Sequence, residues 1–115
     1  MRLTVFFKEE TMKNKNCYIS GPMTNDPDFF NKFAAAEYEV YNLGLRPVNP
    51  ARLVPTQKDW TWEDYMREDL KHLLTCSYIY MLRGWVDSYG AKVELNLANT
   101  LKMNVIMQSE KSKTK

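Results

Sequence analysis

Tyr78-Ile79-Tyr80-Met81-Leu82, then Gly90-Ala91-Lys92-Val93-Glu94-Leu95-Asn96-Leu97-Ala98-Asn99-Thr100-Leu101, then Asn104-Val105-Ile106-Met107 reads as strand, helix, strand. The outer runs are short and apolar, with β-branched and aromatic residues. The middle run puts Ala91, Leu97, Ala98 and Leu101 at helical spacing on one face. A strand, a crossover helix and a strand is the unit of a parallel sheet. One residue breaks the pattern. Glu94 falls on the apolar stripe, three residues after Ala91 and four before Ala98. A charge there costs free energy unless something pairs with it or function requires it. The loop Arg83–Tyr89 before it leads from a strand into a helix, where α/β proteins place their ligands.

The same grammar extends upstream. Cys17–Ser20 reads as a short buried strand ended by Gly21-Pro22. Asp26-Pro27 reads as a helix start, with Asp26 as N-cap and Pro27 at the first helical position. Phe29, Phe33, Ala36, Val40 and Leu43 then repeat at steps of four and three, and Gly44 closes the helix. Leu45–Val48 is a second strand, followed by a loop from Asn49 to Trp60. Thr61 and Asp64 form a capping box that opens a helix over residues 61–74. The order β-α-β-α-β-α-β predicts an α/β fold of flavodoxin or Rossmann type. It is a three-layer sandwich with a central parallel sheet of about four to five strands and helices on both faces.

A chain of 115 residues, 44% apolar and 13% aromatic, is one domain with a real core. Residues 1–15 read as an N-terminal extension, with Leu3–Phe7 as a possible edge strand and Lys8–Lys15 as charged linker. Residues 16–108 read as the domain and 109–115 as a polar tail. A net charge of +2 with interleaved signs argues against nucleic-acid binding through a broad basic field. Leu3–Phe7 is too short for a secretory core or a membrane span, so a cytoplasmic protein without a membrane partner is expected. Cys17 and Cys76 each adjoin a strand-like run and read as buried reduced thiols. They lack the spacing of a metal site, and neither metal nor cofactor is expected.

Three loops should meet at the carboxyl edge of the sheet: Gly21–Asn25, Asn49–Trp60 and Arg83–Tyr89. Ser88 and the amides near Gly90 would form an anion site at a helix N-terminus, and Gly90 leaves room for a phosphate. Asp69 shares a face with Tyr65, Met66 and Leu73, at the border of an apolar stripe. Two half-buried carboxylates, Glu94 and Asp69, can have their proton affinities driven apart, so that one serves as nucleophile and the other as acid.

Tyr18-Ile19-Ser20-Gly21-Pro22-Met23, Asn49-Pro50-Ala51, Tyr65-Met66-Arg67-Glu68-Asp69 and Ser88-Tyr89-Gly90-Ala91-Lys92-Val93-Glu94 together resemble the nucleoside 2-deoxyribosyltransferase-like superfamily, more narrowly its DUF4406 branch. The resemblance runs from about Asn16 to Met107. It implies cleavage or transfer of the N-glycosidic bond of a nucleoside or nucleoside monophosphate. Glu94 would be the nucleophile, Asp69 the acid for the departing base, and Tyr18 the group that holds Glu94. Ser88, two residues before Gly90, matches the serine that monophosphate N-hydrolases carry for the phosphate. The loop Gly21-Pro22-Met23-Thr24-Asn25 departs from their basic, glycine-rich sequence. Gly21, Pro22, Met23 and Asn49 would line the crevice, and Trp85 would stack on a base or pack in the core.

Plainer readings stand beside these. Glu94 can pair with a lysine or lie in water, Asp69 can pair with Arg67 or His72, and Tyr18 can be a core aromatic. Ser88 can be an N-cap alone, and His72 reads as a partly exposed surface residue. The same fold can also hold a non-catalytic nucleotide-binding module, a sensor or sponge, or a protein whose pocket is incidental. Trp60, Trp62 and Trp85 exceed what a small domain readily buries, so a homo-oligomer of two or more chains is expected.

Overall fold

In the computed structural model, which describes residues 14–110, strands β1 (Asn16–Ser20), β2 (Arg46–Val48), β3 (Tyr78–Met81) and β4 (Asn104–Met107) make one parallel sheet in the order β2-β1-β3-β4. The expected edge strand at Leu3–Phe7, most of the linker and most of the tail lie outside the described residues. Central β1 and β3 are almost wholly buried, as strands covered on both faces must be. The helices are α1 (Phe29–Asn42), α2 (Pro50–Leu53), α3 (Trp62–Leu73) and α4 (Tyr89–Thr100).

Strand side chains alternate, so β1 feeds two cores. Cys17 and Ile19 join Phe33, Ala36 and Val40 of α1, with Tyr80 and Leu82. On the other face, Tyr18, Ile79 and Met81 meet Leu73 of α3 and Ala91 and Ala98 of α4. Burying each of Ile19, Ile79 and Leu73 contributes about 1.5–3 kcal/mol before entropy is charged against it. The chain leaves β1 toward β2, then crosses back over β1 to β3. The carboxyl ends of β1 and β3 therefore flank the point where the winding reverses, and a crevice opens there.

Two Xaa-Pro pairs behave oppositely to expectation. Asp26-Pro27 makes a turn, not a helix start. Asp26 Oδ1 accepts the Asp28 amide at 3.0 Å, Oδ2 holds Lys32 Nζ at 3.0 Å, and α1 begins two residues later after Asp28. Asn49-Pro50, expected to be loop, opens the short helix α2. Asn49 Oδ1 accepts the Ala51 amide at 2.9 Å, and Pro50 occupies the first turn, where a missing N–H costs nothing. The expected loop from Arg83 likewise holds a 3-10 turn at Trp85–Asp87. Thr61 and Asp64 do form the capping box of α3, bonding at 3.2 and 2.9 Å. Leu43 and Leu101, assigned to apolar stripes, are exposed, because each lies just past the last turn of its helix.

Candidate functional site

Glu94 is 5% exposed, although no lysine, arginine or histidine is among its hydrogen-bond partners. Two hydroxyls from β1 hold it. Tyr18 Oη donates to Oε2 at 2.7 Å, and Ser20 Oγ donates to Oε1 at 2.6 Å. Strand parity explains the pair, since residues two apart point to the same face. Burial pushes the Glu94 carboxyl up to about 7, the Ser20 and Tyr18 hydroxyls pull it down, and nearby Asp69 pushes it up again. Burial drives Tyr18 well above its ordinary value, and the charges of Glu94 and Asp69 and its hydrogen bond to Glu94 add to the effect. Asp69, on α3, is pushed up to about 6, by burial first and Glu68 second. Both carboxyls thus change charge near neutrality, where an acid–base pair is useful.

The carboxylates open onto a cavity of about 510 Å³ at the carboxyl edge of the sheet, within the range of small-molecule sites. Tyr18, Asp69, Glu94, Ser88, Gly90, Gly21, Pro22 and Met23 all line it. Asn49 and Trp85 do not. Asn49 is buried behind the wall, where its Nδ2 donates to Glu37 Oε2 at 2.9 Å, and Trp85 packs on the apolar cluster under α4. Asp87 and Tyr89, from the expected ligand loop Arg83–Tyr89, and Trp62 also join the lining, although none had been singled out as a site residue. Ser20 was missed as well; its signal was the parity it shares with Tyr18.

Two glycines have steric reasons. A Cβ on Gly21 would fall 2.8 Å from Leu82 Cβ, so the chain can turn into the cavity wall there only without a side chain. A Cβ on Gly90 would meet Met66 Sδ at 3.3 Å and Trp62 at 3.8 Å, so this glycine lets α3 and α4 approach. Ser88 caps α4: its Oγ accepts the Ala91 amide at 3.1 Å, and its proton remains to be donated. Arg67 pairs with Asp64 at 3.2 Å rather than with Asp69.

The lining holds three carboxylates, Asp69, Asp87 and Glu94, and no lysine, arginine or histidine among the described residues. No group of three or more His, Cys, Asp and Glu able to hold a metal occurs among the described residues. Nor does any helix there have the length and apolarity to cross a membrane. Of the three tryptophans, Trp60 packs edge-on against Tyr65 at 5.1 Å and Trp85 is half-buried. Trp62 alone is exposed, stacked on Tyr89 at 5.2 Å.

Residues 15–107 match the family described as Domain of unknown function (DUF4406). No curated protein matches the sequence. In three dimensions the chain is similar to a 2-deoxyribosyltransferase from the psychrotolerant bacterium Bacillus psychrosaccharolyticus. The TM-score is 0.63 and the identity 20%, over 85% of this chain and 77% of that one. At that identity the likeness shows a shared α/β fold.

Proposed function

The chain belongs to the DUF4406 family, and we propose that its cavity cleaves or transfers the N-glycosidic bond of a deoxynucleoside, a nucleoside or the corresponding monophosphate, with Glu94 as nucleophile. One observation carries the reading: a buried carboxylate held at both oxygens by hydroxyls and facing a cavity that also presents Asp69. The fold shared with a 2-deoxyribosyltransferase supports it. Glu94 attacks the anomeric carbon while the bond to the base breaks, leaving a glycosyl ester on the enzyme. With Asp69 raised to about 6 and Glu94 to about 7, the two carboxyls share a proton near neutrality; in the reactive form it sits on Asp69, which gives it to the departing base. Water or a second base then takes the sugar.

The charge of the lining narrows the substrate. Three carboxylates and no cation favour a neutral nucleoside. A single phosphate has one polar berth, the Ser88 hydroxyl and the first amides of α4. The test is incubation with a panel of nucleosides and monophosphates, followed by chromatography for free base. Release of base, abolished in Glu94→Gln, is expected. Binding without release from any substrate would overturn the reading in favour of a non-catalytic binding module.

A further inference from the structure

The two hydroxyls on Glu94 are not equivalent. Both residues are buried, Tyr18 at 0% and Ser20 at 1% exposure, but Tyr18 belongs to the cavity lining and Ser20 does not. Oε2 is thus tied to a residue of the lining, and Oε1 to a residue behind it. The Ser20 backbone is fixed. Its carbonyl accepts the Leu82 amide at 2.8 Å, and it stands in register with Met81 of β3. Gly21 presses against Leu82 directly after it, so the hydroxyl has little freedom to retreat.

We infer that Ser20 is a positioning residue: it anchors Oε1 of Glu94 and leaves Oε2 as the oxygen that bonds the sugar. The inference rests on the glycosidic reading above. In the first step Oε2 bonds the anomeric carbon as the carbon–nitrogen bond breaks. The base leaves with that electron pair and takes the proton of Asp69. Oε1 becomes the ester carbonyl oxygen and keeps its hydrogen bond from Ser20. In the second step a water oxygen bonds the anomeric carbon and its proton passes to Asp69. The bond to Oε2 breaks, and its electron pair returns to the carboxylate. A donor that favours the carboxylate slows attack slightly and assists departure, so loss of Ser20 should fall on the second step.

The test compares wild type, Ser20→Ala and Ser20→Thr, which keeps the hydroxyl. Carbon-13 NMR of labelled glutamate tracks the titration of Glu94, with Glu94→Gln identifying its signal. The titratable groups lining the same cavity are Tyr18 on β1, Tyr65 and Asp69 on α3, and Asp87 and Tyr89 at the mouth of α4. Repeating the titration on an Asp69→Asn background separates Ser20 from the charge of the neighbouring carboxylate. Ser20→Ala should raise the Glu94 midpoint by about one unit, the weight of one hydrogen bond to a charge, and Ser20→Thr should restore it. Intact-mass analysis during turnover should show the glycosyl-enzyme accumulating about ten-fold in Ser20→Ala, as one pH unit of stabilisation corresponds to. If Ser20→Ala fails to fold, Ser20→Cys, a weaker donor of similar size, should shift both readouts in the same direction. An unmoved midpoint would overturn the anchor. A moved midpoint without accumulation would overturn the assignment of the two oxygens. If the wild type releases no base, the glycosidic reading falls and takes the assignment of Oε2 with it, while the NMR titration still decides whether Ser20 anchors Oε1.

Discussion

Two tyrosine–glutamate hydrogen bonds lie on opposite faces of one sheet. Tyr80 of β3 donates to Glu39 Oε1 at 2.6 Å on the α1 side, and Tyr18 of β1 donates to Glu94 Oε2 at 2.7 Å on the α4 side. Glu39 is half-buried, and the same oxygen also accepts Gln108 Nε2 at 2.9 Å. Glu94 is buried, takes one hydroxyl on each oxygen, and faces a cavity that it shares with a second carboxylate. The tyrosine–glutamate pair is thus not what marks a site. Burial, with a second carboxylate nearby and no cation among its hydrogen-bond partners, is what lifts Glu94 to about 7.

The largest contrast should appear in turnover. Glu94→Gln keeps shape and removes the anionic nucleophile, so base release should fall ~10³-fold or more while ligand binding survives. Glu39→Gln should change release less than about two-fold. Comparable losses in steady-state assays would erase the distinction between the two faces.

The next contrast is in stability against pH. Glu94 is raised from an ordinary 4.5 to about 7, and Asp69 from 3.8 to about 6. An acid with a raised value in the fold binds its proton more tightly there than in the unfolded chain. Its stabilisation is therefore complete below the unfolded value and is lost as pH rises through the folded one. Stability should fall between pH 3.8, where Asp69 begins to lose its proton in the unfolded chain, and 7, with Glu94 accounting for on the order of 3 kcal/mol. Urea unfolding across this range should show the slope reduced in Glu94→Gln and unchanged in Glu39→Gln. A wild-type slope retained by Glu94→Gln would refute the burial account.

Removing the tyrosine hydroxyls tests the same asymmetry on a smaller scale. At pH 8, Tyr18→Phe strips a buried carboxylate oxygen of its donor and should cost about 1–3 kcal/mol. Tyr80→Phe leaves Gln108 on Glu39 and should cost about 1 kcal/mol or less. Chemical denaturation giving the reverse order would show that Glu39 is the more tightly held. The smallest effect is expected at the cavity mouth. Ser88→Ala removes the cap of α4, for about 1 kcal/mol in thermal unfolding. Calorimetry should find a monophosphate weakened more than its nucleoside; equal weakening would leave Ser88 as a cap alone.

The fold was legible because its signals are local. Among the described residues, the four strands and the three long helices were placed within a few residues, since apolar period and caps are written in neighbouring positions. The misreadings were at turns. Asp26-Pro27 and Asn49-Pro50 carry the same signal, and the surrounding hydrogen bonds decide which of them opens a helix. Asn49 carried a polar amide into a predicted ligand loop, yet Glu37 on α1 and Arg52 draw that corner of the molecule into a network behind the cavity wall. Trp85 was visible as a large ring near the site, but its 3-10 turn folds it onto the core.

By itself the sequence determined the β-α alternation, the parallel sheet and the intrusion of Glu94 into an apolar stripe, because helical and strand periods are properties of adjacent residues. It also determined that Tyr18 and Ser20 share a face of β1. Only the tertiary structure decided that this face meets Glu94, across 76 and 74 residues of chain. Only packing put Tyr18 in the cavity lining and Ser20 behind it. Proton affinity is set by those distant neighbours and by the water they exclude, and neither is encoded in the local period.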